Sequence, residues 1–122
     1  MSSILVVDDD TAVLEVVSEM LRLEGHDVTL AENGADAIRE FDSRAYDLVI
    51  TDLIMPEKEG LETIADIRRA VDGIPIIAIS GGGRAGPSDY LETARFIGAN
   101  ATLAKPFRRQ DLLETVAALL PG

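Results

Sequence analysis

The sequence predicts an α/β fold of five βα units, doubly wound into a three-layer sandwich around a parallel five-stranded sheet of order 2-1-3-4-5. Three observations carry that expectation. Short β-branched runs alternate with segments of helical apolar spacing along the whole chain, the alternation that builds parallel sheets with helices on both faces. The run Leu48-Val49-Ile50 has no polar alternate, as in a strand buried on both sides. Four of the five strand-like runs, all but the second, end in residues that can do chemistry, at the sheet edge where open α/β folds bind ligands.

Ile4-Leu5-Val6-Val7 reads as the first strand and ends in Asp8-Asp9-Asp10. Thr11 is read as the cap of a helix with Val13, Val17, Met20 and Leu21 at helical spacing, stopped by Gly25. Val28-Thr29-Leu30-Ala31 is a second, weaker strand, and Asn33-Gly34 is a turn or cap before a short helix with Ala37, Ile38 and Phe41. The third strand closes at Asp52, with Pro56 just beyond. Gly60 precedes a helix carrying Leu61, Ile64, Ile67 and Val71, which Asp72-Gly73 ends. Ile74 to Ile79 reads as the fourth strand, with Pro75 at its start, where a missing N–H is tolerated. It ends at Ser80 and runs into the loop Gly81-Gly82-Gly83-Arg84-Ala85-Gly86-Pro87. Ser88 can cap a helix with Leu91, Ala94 and Ile97, which ends at Gly98. Ala101-Thr102-Leu103-Ala104 is the last strand, followed by Lys105-Pro106 and a helix carrying Leu112, Leu113, Val116, Leu119 and Leu120.

Bulk composition narrows the function. The 122 residues read as a single domain over 1–122, and 47% hydrophobic content supplies a core without staples. The absence of Cys excludes disulfides and thiolate metal sites, and the lone His26 leaves little support for a His cluster or a His-based triad. No apolar stretch approaches the ~20 residues that span a bilayer. Met1-Ser2-Ser3 lacks the basic and apolar regions of a signal peptide, so the expectation is a cytoplasmic protein without membrane insertion. A formal net charge of −11 disfavours direct nucleic-acid binding, because phosphates repel it.

The order 2-1-3-4-5 brings the ends of the first, third, fourth and fifth strands side by side, and with them Asp8, Asp9, Asp52, Ser80 and Lys105. Apposed carboxylates repel unless a cation is present, and a hard divalent ion such as Mg²⁺ takes oxygen ligands while leaving room for phosphate oxygens. Lys105 adds a compact positive charge and Ser80 a hydroxyl. Together they are equipped to hold a phosphoryl group on an Asp carboxylate. Singly, each has a bland reading: an Asp pair after a strand is commonly a turn or cap, and Ser80 before glycines is commonly a turn. Their joint placement is what points to chemistry.

The chain resembles the receiver domains of two-component response regulators, of the stand-alone, chemotaxis-regulator-like kind with a flavodoxin-like fold. The motifs are Leu5-Val6-Val7-Asp8-Asp9-Asp10, Thr51-Asp52-Leu53-Ile54-Met55-Pro56 with Gly60, Ile79-Ser80 and Lys105-Pro106-Phe107, and the likeness covers nearly the whole chain. The resemblance implies that Asp52 is the phosphoacceptor. It implies that Asp9, Asp52 and the Ile54 carbonyl bind Mg²⁺, that Asp8 acts mostly through water, and that Ser80 and Lys105 are the switch hydroxyl and the phosphate-binding lysine. It further implies a histidine kinase or histidine phosphotransfer protein as donor and an output protein that the sequence does not name. Three positions depart from the family pattern. Thr102 stands where an aromatic switch residue is usual, and Ile54 and Gly82 occupy the positions that tune loss of the phosphoryl group. The alternative from another functional class is a Mg²⁺-dependent phosphohydrolase with an aspartyl-phosphate intermediate. Against it, Ile54 stands where a second carboxylate would serve as general acid.

Overall fold

The computed structural model describes residues 2–52, 60–70, 73–80, 98–104 and 107–120. The elements among them are β1 (Ser3–Val7), α1 (Thr11–Leu23), β2 (Asp27–Ala31), α2 (Gly34–Ser43), β3 (Leu48–Asp52), α3 (Gly60–Ala70), β4 (Ile76–Ser80), β5 (Ala101–Ala104) and a C-terminal helix, α4 (Arg109–Leu119). All strand pairs are parallel and the order is β2-β1-β3-β4-β5. This is the flavodoxin-like, doubly wound arrangement that the sequence predicts. The loop from Gly81, the helix expected after Ser88, and Val71 lie outside the described residues.

Each strand splits its side chains between two cores, because successive residues point to opposite faces. Leu5, Val7, Val49, Ile76 and Ala78 face Ala37 of α2 and Ile64 and Ile67 of α3. Ile4, Val6, Leu48, Ile50, Ile77 and Ile79 face Leu14, Val17 and Leu21 of α1 and Leu112 and Val116 of α4. A strand sandwiched this way has no solvent face, and all residues of β3 are buried. That is why its sequence reads as an unbroken apolar run before Thr51 and Asp52.

Strands β1 and β2 each begin one residue earlier than expected, and two further boundaries shift. Asp10, not Thr11, is the N-cap of α1: it adopts an extended backbone (φ −89°, ψ 108°), and its side chain accepts the Ala12 N–H at 3.0 Å. Thr11 is the first helical residue. Asp and Thr both serve at N-caps, and here the Asp10 carboxylate takes the position. Strand β4 begins at Ile76, two residues after Ile74. Pro75 has no N–H to give the ladder, although its carbonyl accepts from Val49 N at 3.0 Å, and the Ile76 N–H goes instead to Asn100 Oδ1 at 2.9 Å. The stop of α1 is as expected: Gly25 has φ +89°, a conformation that disfavours side chains, and its N–H returns to the Arg22 carbonyl at 3.0 Å.

Arginines bind the amino ends of the strands together. Arg44 donates to Asp27 at 2.8 Å and to the Ser3 hydroxyl at 3.2 Å, while Asp47 accepts the Ser3 N–H at 2.8 Å. The hydrogen bond to Asp27 raises the Arg44 pKa further above its ordinary value. Arg68 of α3 reaches the Gly98 carbonyl at 2.7 and 3.0 Å, and also bonds the Ile74 carbonyl and the Asn100 side chain. Thus α3 is tied to the segments that lead into β4 and β5. Gly98 is required there: its φ is +140°, and a Cβ would meet Arg68 Nε at 3.0 Å.

The start of α4 makes a pH prediction. The Asp111 carboxylate accepts from Arg108 N at 3.3 Å and Arg108 Nε at 3.4 Å, and the Arg108 side chain holds its pKa below the usual carboxylate range. A depressed folded-state pKa favours folding above the unfolded-state value, and that contribution is lost as pH falls through the folded one. Arg108 is exposed and Asp111 only partly covered, so solvent screening keeps the contribution small. Arg108→Ala is expected to move the Asp111 titration upward in a carboxyl-detected NMR experiment. An unmoved titration would remove Arg108 as the cause.

Candidate functional site

The sheet register places the acidic residues. Val7 pairs with Thr51 across β1 and β3, so Asp8 and Asp52 both follow directly from a matched pair at the carboxyl end of the sheet. Asp52 in turn pairs with Ile79, and Ser80 with Ala104. Asp8 and Asp52 are 1% and 6% exposed, whereas Asp9 lies at the surface. One carboxylate oxygen from each of Asp8, Asp9 and Asp52 lies within 4.8 Å of the others.

Local hydrogen bonds hold this arrangement. The Asp8 N–H donates to the Ala31 carbonyl at 3.1 Å, extending the β1–β2 ladder by one step beyond the strand. Asp8 Oδ1 accepts the Asp10 N–H at 2.9 Å, and the Thr51 hydroxyl donates to the Asp52 carbonyl at 3.1 Å. Three carboxylate oxygens at this separation, from two buried side chains and one exposed, form a hard-donor set that suits a small divalent cation such as Mg²⁺.

The structure therefore brings together Asp8, Asp9 and Asp52 of the predicted site residues. The backbone of Ser80 ends β4 beside the strand of Asp52. Ile54, Gly82 and Lys105 lie outside the described residues. Thr102 is half-buried on β5, opposite Ala78. Sequence reasoning grouped Asp10 with the other two acids and gave it no separate part. The N-cap preference for Asp was the signal that distinguishes it. Among the described residues, no helix is long and apolar enough to cross a membrane.

Comparison with known proteins agrees with this geometry. Residues 4–117 match the family model described as response regulator receiver domain. The chain is 36% identical over 120 residues to the transcriptional regulatory protein CpxR homolog of Haemophilus influenzae, covering 98% of this chain and 51% of that protein. It is 37% identical over 117 residues to the response regulator MprA of Mycolicibacterium vanbaalenii, covering 96% of this chain and 49% of that one. The chain thus spans about half the length of the curated relatives it matches. Among solved structures, the chemotaxis protein CheY4 of Vibrio cholerae superposes with a TM-score of 0.87 at 28% identity, covering 98% of this chain and 99% of that one. The receiver domain of NtrX from Brucella abortus gives 0.89 at 28% identity, over 96% and 97% of the two chains. These likenesses favour the signalling reading over the phosphohydrolase. With its strand order, its strand-end acids and a family match that runs from β1 into the C-terminal helix, the chain belongs to the response regulator receiver domains, the phosphoacceptor modules of two-component signalling.

Proposed function

We propose that Asp52 of this chain accepts a phosphoryl group from a phosphohistidine, carried by a histidine kinase or a histidine phosphotransfer protein, and that the acyl phosphate switches contacts with an output protein. The observation that carries the reading is the cluster of Asp8, Asp9 and Asp52 oxygens at the carboxyl end of a receiver sheet. An Asp52 oxygen attacks phosphorus, the new O–P bond forms as the P–N bond breaks, and the imidazole leaves with the electron pair. Receiver domains bind Mg²⁺ through an acidic pocket, and the donor set here fits that ion. Asp9, Asp52 and the Ile54 carbonyl would hold it, with Asp8 acting mostly through water. When bound, the ion would supply positive charge against the negative charge that develops on the phosphoryl oxygens. Lys105 binds one of those oxygens and Ser80 donates to another, a charge-assisted hydrogen bond about twice as strong as a neutral one. The work is done on the protein itself, with no turnover of an external metabolite, by a cytoplasmic receiver domain that spans residues 1–122.

The test is direct. Incubation with acetyl phosphate and Mg²⁺ is expected to raise the intact mass by a single phosphoryl group, and chelation of the metal is expected to prevent it. No mass increase in the presence of Mg²⁺ would sink the reading.

A further inference from the structure

We infer that Asp10 is a positioning residue for the Mg²⁺ site. This rests on the metal reading above and deepens it. Asp10 is exposed and is not one of the acids whose oxygens converge. Three of its groups are nevertheless committed. Its side chain accepts the Ala12 N–H at 3.0 Å, its carbonyl accepts the Leu14 N–H at 3.1 Å, and its own N–H donates to Asp8 Oδ1 at 2.9 Å.

The first two bonds fasten residue 10 to the start of α1, and the third transmits that fastening to a carboxylate of the site. Asp9 lies between the two ends of this chain of bonds, so the same closure limits where its exposed side chain can point. One oxygen of Asp8 is thereby held by the protein. Mg²⁺ demands near-octahedral geometry with little tolerance in its ligand positions. Partners that orient ligating carboxylates matter nearly as much as the ligands themselves, and here the closure steers Asp9, a direct ligand, together with Asp8, which meets the ion mostly through water. Without the cap, the backbone at residue 10 is released from its extended conformation, and its N–H is no longer aimed at Asp8.

Calorimetric titration with Mg²⁺ of the wild type, Asp10→Ala, Asp10→Ser and Asp9→Ala separates the possibilities, with helix content followed by circular dichroism. Asp9→Ala is expected to lose most binding. Asp10→Ala is expected to weaken binding about tenfold, the low end for an orienting partner because the backbone N–H itself remains. Asp10→Ser keeps a capping oxygen and removes the charge, and is expected to restore most of the loss. If Asp10→Ser is as weak as Asp10→Ala, residue 10 acts through charge and the positioning role is overturned. Wild-type affinity in Asp10→Ala, with Asp9→Ala impaired, overturns it as well and leaves the metal reading intact. A wild type that does not bind Mg²⁺ removes both.

Discussion

Asp52→Asn is expected to abolish the phosphoryl mass increase completely. An amide oxygen is a far weaker nucleophile than a carboxylate, and Asn matches Asp in size, so the buried position at the end of β3 keeps its packing. The substitution also removes one of three clustered carboxylates, so Mg²⁺ binding is expected to weaken in the same variant. Intact mass spectrometry after acetyl phosphate treatment reads the first effect, and circular dichroism shows whether the fold is kept. Full labelling of the Asn variant would place the acceptor elsewhere. The comparison is informative because Asp8 and Asp9 lie within 4.8 Å and have the same functional group. A single labelled site in the wild type that vanishes with Asp52 distinguishes the acceptor from its neighbours.

The second large effect is on stability. Ile50→Ala is expected to cost about 2–5 kcal/mol, the usual range for emptying a fully buried aliphatic site. Ile50 is 0% exposed and lies between Val6 of β1 and Ile77 of β4, in the core that α1 and α4 cover. It is paired between two other strands of one sheet, which limits how far its surroundings can collapse into the space. Equilibrium urea unfolding should show a lower midpoint with an unchanged slope. A loss below about 1 kcal/mol would mean that the position relaxes far more than a sheet centre normally does. Because Ile50 belongs to the same strand as Asp52, labelling of this variant also tests whether loosening the strand disturbs its carboxyl end.

Why the sequence reveals some of this and not the rest follows from the range over which each signal acts. Strands β1 and β3 are legible because burial on both faces leaves uninterrupted apolar runs, and Gly25 is legible because a positive φ favours one residue type. The grouping of Asp8, Asp9 and Asp52 follows from the strand order 2-1-3-4-5, one of the few doubly wound orders that the alternation of elements allows. What the sequence hides is the difference within the acidic trio. Asp8 is buried, Asp9 is exposed and Asp10 caps a helix, yet the three letters are identical. Arg68 is equally silent: its partners Gly98 and Asn100 are 30 and 32 positions away, and it bonds mostly to carbonyls, which carry no residue identity. The start of β4 shifted for a similar reason, since the Ile76 N–H takes an Asn100 oxygen that no local pattern announces.

The two ends of the sheet answer to different demands. At the amino ends, Arg44 and Arg68 knit loops to strands through contacts that no phosphoryl chemistry uses. At the carboxyl ends, like charges converge, an arrangement that works against folding and serves binding. Roughly five residues of strand separate the two. Substitutions that loosen the amino ends therefore act a full strand's length away from the acids, and the buried strands between them carry whatever reaches one end from the other.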